Sequence, residues 1–198
     1  MPSRRAVASI GLVAVLAPWV GSCSSGLTDR PASTRAVSDP APPMVEPDEP
    51  LTDASLALVT KKSSRVVSGS VTGVRSGEHL GEDRTLEYSI ITVRVDSSLR
   101  GDHSPSQVEI AMSSADEGTP FAVLGRPVPD TGQRAVWFLK TVDPAFGFDG
   151  YVLTWSGGQV RVDGNGNVID DHGETTAARE AVTLKTLSAV KAVVTRAG

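Results

Sequence analysis

The chain has 198 residues, with 19 Lys and Arg against 23 Asp and Glu, a formal charge of −4, three His and one Cys. A single cysteine excludes any disulfide within the chain, so the fold must rest on its apolar core. An acidic chain without clustered Lys and Arg lacks the phosphate-binding surface of a nucleic-acid reader, and no nucleic acid is expected as a partner.

Arg4 and Arg5 precede an apolar run from Ala6 to Val20. A membrane-spanning helix needs roughly 20 apolar residues. This run is shorter and contains Gly11 and Pro18, so it predicts a cleaved export signal over residues 1–22. Ser3-Arg4-Arg5 has a trace of a twin-arginine start but lacks the bulky apolar residues that follow one, so general secretory export is the expected route. Val20-Gly21-Ser22 then leads into Cys23. These four positions resemble the lipobox of bacterial lipoproteins, an aliphatic residue, a small residue, Gly, Ala or Ser, then Cys. The resemblance implies cleavage between Ser22 and Cys23, a diacylglycerol on the Cys23 sulfur, and palmitate-type acyl chains in the membrane. Each buried methylene contributes about 0.8 kcal/mol, so two or more chains anchor stably. The expected location is the extracytoplasmic face of the cell membrane, lipid-anchored. Loss of Arg4 and Arg5 with the signal leaves 17 basic and 23 acidic residues, a charge of −6.

From Ser24 to Pro50 the composition shifts. Pro31, Pro40, Pro42, Pro43, Pro47 and Pro50 are interspersed with Ser, Thr, Ala and acidic residues, with no apolar period. Residues 23–50 are therefore expected to be a disordered tether with polyproline-like stretches. At roughly 3.1 Å per residue it reaches at most about 80 Å, enough to hold a domain off the lipid surface. Residues 51–198 are expected to form a single domain, and no internal repeat is found.

Pro50 to Ser55 reads as a helix start, with Leu56, Leu58 and Val59 as apolar content and Lys61-Lys62 near its end. The period then becomes two, Val67, Gly69, Val71 and Gly73 sharing one face of a curled strand. Glu87 to Val95 is a clear strand leading to Leu99-Arg100-Gly101, and Gln107 to Met112 is another. Ser113 to Gly132 reads as a long connection with a short apolar insert, Phe121 to Leu124. Arg134 to Lys140 is apolar on both faces and reads as a central strand, followed by a core strand from Tyr151 to Trp155. Gln159 to Asp163 and Asn167 to Asp170 flank Gly164-Asn165-Gly166 as a hairpin. Glu174 to Arg196 predicts one C-terminal helix with Ala178, Val182, Leu187, Val190 and Val194 along its apolar stripe.

Five or six strands with glycine-marked bends and flanking helices give a mainly β fold. A small antiparallel OB-like barrel with the C-terminal helix packed on it is expected, and an open β-sandwich is the alternative. The run Val67-x-Gly69-x-Val71, the strand Thr92-Val93-x-Val95 with Leu99-Arg100-Gly101, and Trp137-Phe138-Leu139 resemble exported bacterial proteins carrying an uncharacterised OB-like barrel. That resemblance spans roughly residues 55 to 170 and implies a fold without a reaction. Such barrels are also similar to the inhibitory domain of the tissue inhibitors of metalloproteases, where a free N-terminal cysteine at the barrel edge coordinates zinc. This chain departs from that pattern, because Cys23 is expected to be acylated and lies a tether's length away.

Chemical motifs are sparse. Asp163, Asn165, Asn167, Ile169, Asp171 and Glu174 fit the oxygen spacing of an EF-hand calcium loop, with Asp163, Asn165, Asn167, Asp171 and Glu174 as side-chain ligands. Val168 stands where that loop needs glycine and a strand precedes Asp163, so a hairpin is the expected form. His79, His103 and His172 have no second His or Cys at ligand spacing, although His172 stands beside Asp170, Asp171 and Glu174. No nucleophile elbow or Ser-x-x-Lys motif with its companions is present, and no cofactor is expected. Asp116-Glu117 is read as surface charge. Trp137 and Trp155 would form a sugar platform if exposed and core if not. The expectation is a noncatalytic, lipid-anchored binding or scaffold module of the cell envelope, with the membrane and an envelope protein as partners. An envelope hydrolase assembled near Ser113 to Gly132 and a calcium-responsive module are the alternatives.

Overall fold

Two long antiparallel strands, β2 (Arg65–Glu78) and β3 (Leu86–Arg100), begin a closed five-stranded barrel in the computed structural model. The structure describes residues 44–45, 51–101, 105–123, 126–170 and 175–198, all within one compact unit, Pro40–Gly198. β3 pairs with β4 (Gln107–Asp116), β4 with β8 (Tyr151–Leu153), β8 with β7 (Arg134–Thr141), and β7 returns to β2. This OB-like closure is antiparallel except between β4 and β8, which run parallel. β9 (Gln159–Val162) also pairs with β7, continuing the line of β8 after a turn.

β7 explains its own composition. Ala135, Trp137 and Leu139 point into the barrel with Val67, Val71, Ile91, Val93, Val108 and Ile110. Val136 and Phe138, on the opposite face, pack with Leu56, Val59, Trp155, Val190 and Val194 in a second core under the helices. A strand shared by two cores has no wet face, so alternation disappears. Elsewhere one register of each strand suffices, as at Val93 and Val108, which oppose each other inside the barrel.

Curvature comes from irregular pairing. The β2–β3 register shifts at four places, including Ser68/Gly69 and Val71/Gly73, which bends the strands around the barrel. A Cβ at Gly69 would overlap the Arg94 carbonyl oxygen and lie 2.8 Å from Val93 Cγ1, so this position must be glycine for the strands to approach. At Gly73 the nearest atom to a Cβ is 3.9 Å away, and space imposes no such demand.

α1 (Leu56–Lys62) starts where Ser55 Oγ accepts from the Leu58 N–H at 3.2 Å, and it buries Leu56, Val59 and Thr60 while Leu58 stays exposed. The expected single C-terminal helix is two, α2 (Thr176–Leu184) and α3 (Leu187–Ala197). Lys185 takes a left-handed conformation, φ 63°, and ends α2. Thr186 Oγ1 then accepts from the Ala189 N–H at 3.3 Å and starts α3. The break lets the helices follow the barrel, and α3 lies against β3, where Lys191 Nζ donates to Ser97 Oγ at 3.0 Å. Of the expected stripe, Ala178, Val190 and Val194 are buried, while Val182 and Leu187 are half-buried.

Two strand boundaries also differ. The strand expected to reach Trp155 ends at Leu153. Phe138 pairs with both sides of the excursion, its carbonyl accepting from Thr154 N–H and its N–H donating to the Gly158 carbonyl, each at 2.9 Å. Gly157 and Gly158 let the intervening turn close, tucking Trp155 edge-on to Phe138 at 5.3 Å. β4 runs past Met112 to Asp116, then folds back through Glu117-Gly118, both at positive φ, into β5 (Thr119–Pro120). In the apolar insert, β6 (Ala122–Val123) pairs in parallel with β1 (Met44–Val45), a segment within the stretch read as tether.

Candidate functional site

Parallel pairing between β4 and β8 lasts only two positions, Ile110 opposite Tyr151 and Ala111 opposite Val152. β4 then continues toward its hairpin with β5, while β8 turns away at Thr154. The strands diverge, and the space beside them is a groove of about 330 Å³. Ala111, Met112 and Ser113 of β4 line it, with Val152 and Leu153 of β8, Val123 of β6 and Tyr88 of β3. Val142 and Phe146 from the β7–β8 connection and Trp155 and Ser156 from the turn complete the lining.

Phe146 is positioned by a short 3₁₀ turn, Pro144–Phe146. Asp143 Oδ1 accepts from the Ala145 N–H at 2.8 Å, Pro144 fixes the first position, and Gly147 closes the turn at φ 71°. Its ring meets Tyr88 edge to face at 5.2 Å. Its carbonyl accepts from Gly81 N–H at 2.9 Å, which ties the β7–β8 connection to the β2–β3 connection. Burial pushes the Tyr88 phenol above its ordinary range, with the Ser113 hydroxyl acting in the opposite direction. Tyr88 is therefore a neutral hydroxyl at physiological pH.

The lining combines aromatic and aliphatic side chains with the hydroxyls of Tyr88, Ser113 and Ser156. Such a surface can take up an apolar body and orient it through one or two hydrogen bonds. Its ionisable side chain is the Tyr88 phenol, which stays protonated near neutral pH and can donate a hydrogen bond.

Of the residues singled out from sequence, Trp155 lines this groove, and Asp163, Asn165 and Asn167 lie at the turn after β9. Asp163 caps the β9 hairpin, Oδ1 accepting from Asn165 and Asn167 N–H, each at 2.8 Å, and Oδ2 from Asn167 Nδ2 at 2.9 Å. The Asn167 amide, with these backbone donors, holds the Asp163 carboxyl below its ordinary range. Asn165 N–H and Asn167 thus serve the hairpin itself, while Asp171, His172 and Glu174 lie outside the described residues. Ser22, Cys23 and His103 do as well. His79 is exposed on the β2–β3 connection. Among the described residues no three His, Cys, Asp or Glu side chains converge as a metal site.

Trp137 and Trp155 are both buried, at 0% and 3% exposure, so they are core and not a sugar platform. Asp116 and Glu117 are exposed at a hairpin. Arg126, within the region where a hydrolase site would assemble, is buried and its Nη1 donates to the Gly157 and Gln159 carbonyls at 3.2 Å each. It latches the connection to the turn that carries Trp155. Lys61 and Lys62 are exposed, whereas Arg65, three residues on, is buried with its guanidinium 5.6 Å from the Tyr151 ring centre.

Sequence reasoning missed Phe146 and the groove. The local signal for Phe146 was Asp143-Pro144, a capping residue followed by proline. The groove has no local signal, since it depends on where two distant strands stop pairing. No family model matches the chain, and no curated protein matches its sequence.

Proposed function

We propose that the protein is a noncatalytic, lipid-anchored binding module of the bacterial cell envelope, held at the extracytoplasmic face of the membrane through Cys23. The anchoring half of this reading is supported by Val20-Gly21-Ser22-Cys23 after a basic and apolar leader. The binding half is carried by one observation, the groove beside β4 and β8, lined by aromatic and aliphatic residues with Tyr88, Ser113 and Ser156 as its hydroxyl-bearing members. A small, largely apolar ligand with a hydrogen-bonding group suits that surface.

The test is photocross-linking in intact cells from a photoreactive residue at Met112, inside the groove, and from a second at Lys140, exposed on β7 outside the groove lining. Mass spectrometry identifies the adducts, and Cys23→Ala is run in parallel. The same adduct captured from Met112 and not from Lys140 supports the reading, with capture dependent on Cys23. Identical capture from both positions, or none from Met112, overturns the groove as the binding site.

A further inference from the structure

α1 and α3 lie side by side through Leu56, Val59, Val190 and Val194. The Arg100 guanidinium, at the end of β3, joins their C-terminal ends. Its Nε donates to the Ser63 carbonyl at 3.0 Å, Nη2 to Lys61 at 3.4 Å and Nη1 to Gly198 at 3.5 Å. Lys61 and Arg196 line a groove of about 380 Å³ between the two helices, with Ala57, Val193 and Ala197 as its apolar part. Leu58, Lys61 and Lys62 are neighbours on α1 at i, i+3 and i+4, and all three are exposed.

Four cations from distant parts of the sequence therefore share one region, where the sequence alone offers only Lys61-Lys62. Arg100 is occupied by helix carbonyls, as expected for a cation near helix C-termini. Among the described residues no Asp or Glu side chain lies within ion-pair distance of any of the four, whereas Arg75, Arg94 and Arg134 are each paired with one. On a mature chain of charge −6, this is a basic face edged with apolar side chains. An anionic phospholipid headgroup layer complements both properties, offering negative charge at the surface and hydrocarbon beneath it. Nucleic acid would match the charge alone.

We propose that the α1–α3 face docks on anionic phospholipid headgroups of the membrane that carries the chain. The proposal rests on the lipid-anchored reading for local concentration, because a tether turns weak headgroup attraction into an intramolecular event. Its chemistry is independent of the anchor. The tether then sets an outer limit on the barrel's height, and the basic face draws the barrel back.

The experiment reconstitutes the full chain on phosphatidylglycerol and on phosphatidylcholine vesicles and follows amide exchange by mass spectrometry. Slower exchange at Ala57–Lys62 and Val193–Ala197 on phosphatidylglycerol only is the expected result, relieved by about 0.5 M salt. Each Lys or Arg near an anionic leaflet contributes about fivefold in occupancy, so Lys61→Glu with Arg196→Glu lowers the docked population by about tenfold or more. Both side chains are exposed, and unchanged exchange in β2 and β7 verifies that the variant is folded. Equal exchange on the two lipids overturns the proposal, as does protection unaffected by salt. Protection by duplex DNA with none on phosphatidylglycerol does so in favour of nucleic acid. Cys23→Ala separates the two readings: cell fractionation reports the anchor, while the lipid-dependent exchange of the same variant added to vesicles reports the face.

Discussion

The indole Nε1 of Trp137 donates to the carbonyl oxygen of Gly69 at 3.4 Å inside the barrel. The contact joins the largest side chain of that core to the residue whose lack of one permits β2 and β3 to approach. Closure of the barrel and burial of its interior therefore depend on the same position.

Gly69→Ala is expected to destabilise the protein by about 3 kcal/mol, because the added methyl meets backbone and Val93 rather than a movable side-chain tip. Gly73→Ala, with 3.9 Å to its nearest neighbour, should change stability by less than about 1 kcal/mol. Urea unfolding of the two variants checks this, and a Gly69→Ala protein as stable as Gly73→Ala contradicts the packing argument.

The junction between α2 and α3 yields a pair of opposite effects. Lys185→Gly should stabilise by about 1 kcal/mol, because a left-handed backbone penalises a side chain there. Thr186→Ala should destabilise by about 1 kcal/mol through loss of the acceptor for Ala189 N–H. Thermal unfolding followed by circular dichroism measures both, and a loss of stability in Lys185→Gly contradicts the assignment of the break.

How far these features were legible in the sequence depended on whether their cause was local. β3 was legible because period-two packing is written residue by residue, and β7 because a run apolar on both faces marks a central strand, which the structure buries between two cores. The α2–α3 break was not, since Lys185 carries no composition signal for positive φ. Trp155 looked like a strand residue because it is bulky and apolar, but Gly157 and Gly158 turn it into the helix-side core. Tyr88, Met112 and Phe146 belong to separate elements, and only the divergence of β4 from β8 makes one groove of them.

Asp163 gives a pH dependence with a defined sign. Its carboxyl is held below the ordinary range by Asn167 and neighbouring backbone N–H groups, so the folded value lies below the unfolded one. Its contribution is present above the unfolded value and is lost as pH falls through the folded one. Carboxyl NMR should place the Asp163 midpoint on the acid side of the free carboxylate range and move it upward in Asn167→Ala. An unchanged midpoint contradicts the capping role.

Tyr88→Phe tests how the groove orients what it holds. The ring contact with Phe146 is retained while the hydroxyl is removed, so the fold should be unaffected. Affinity for the ligand captured from Met112 should fall by about tenfold, the effect of one lost hydrogen bond. Equal affinity by calorimetry would show that Ser113 or Ser156 provides the polar contact instead.

The central claim is that this barrel works while anchored by lipid, and the intact mass of the protein recovered from the membrane fraction tests it most directly. The account predicts a chain beginning at Cys23 whose mass exceeds that of residues 23–198 by a diacylglycerol and any further acyl chain. A chain cut elsewhere, or one beginning at Cys23 with no added mass, would contradict it.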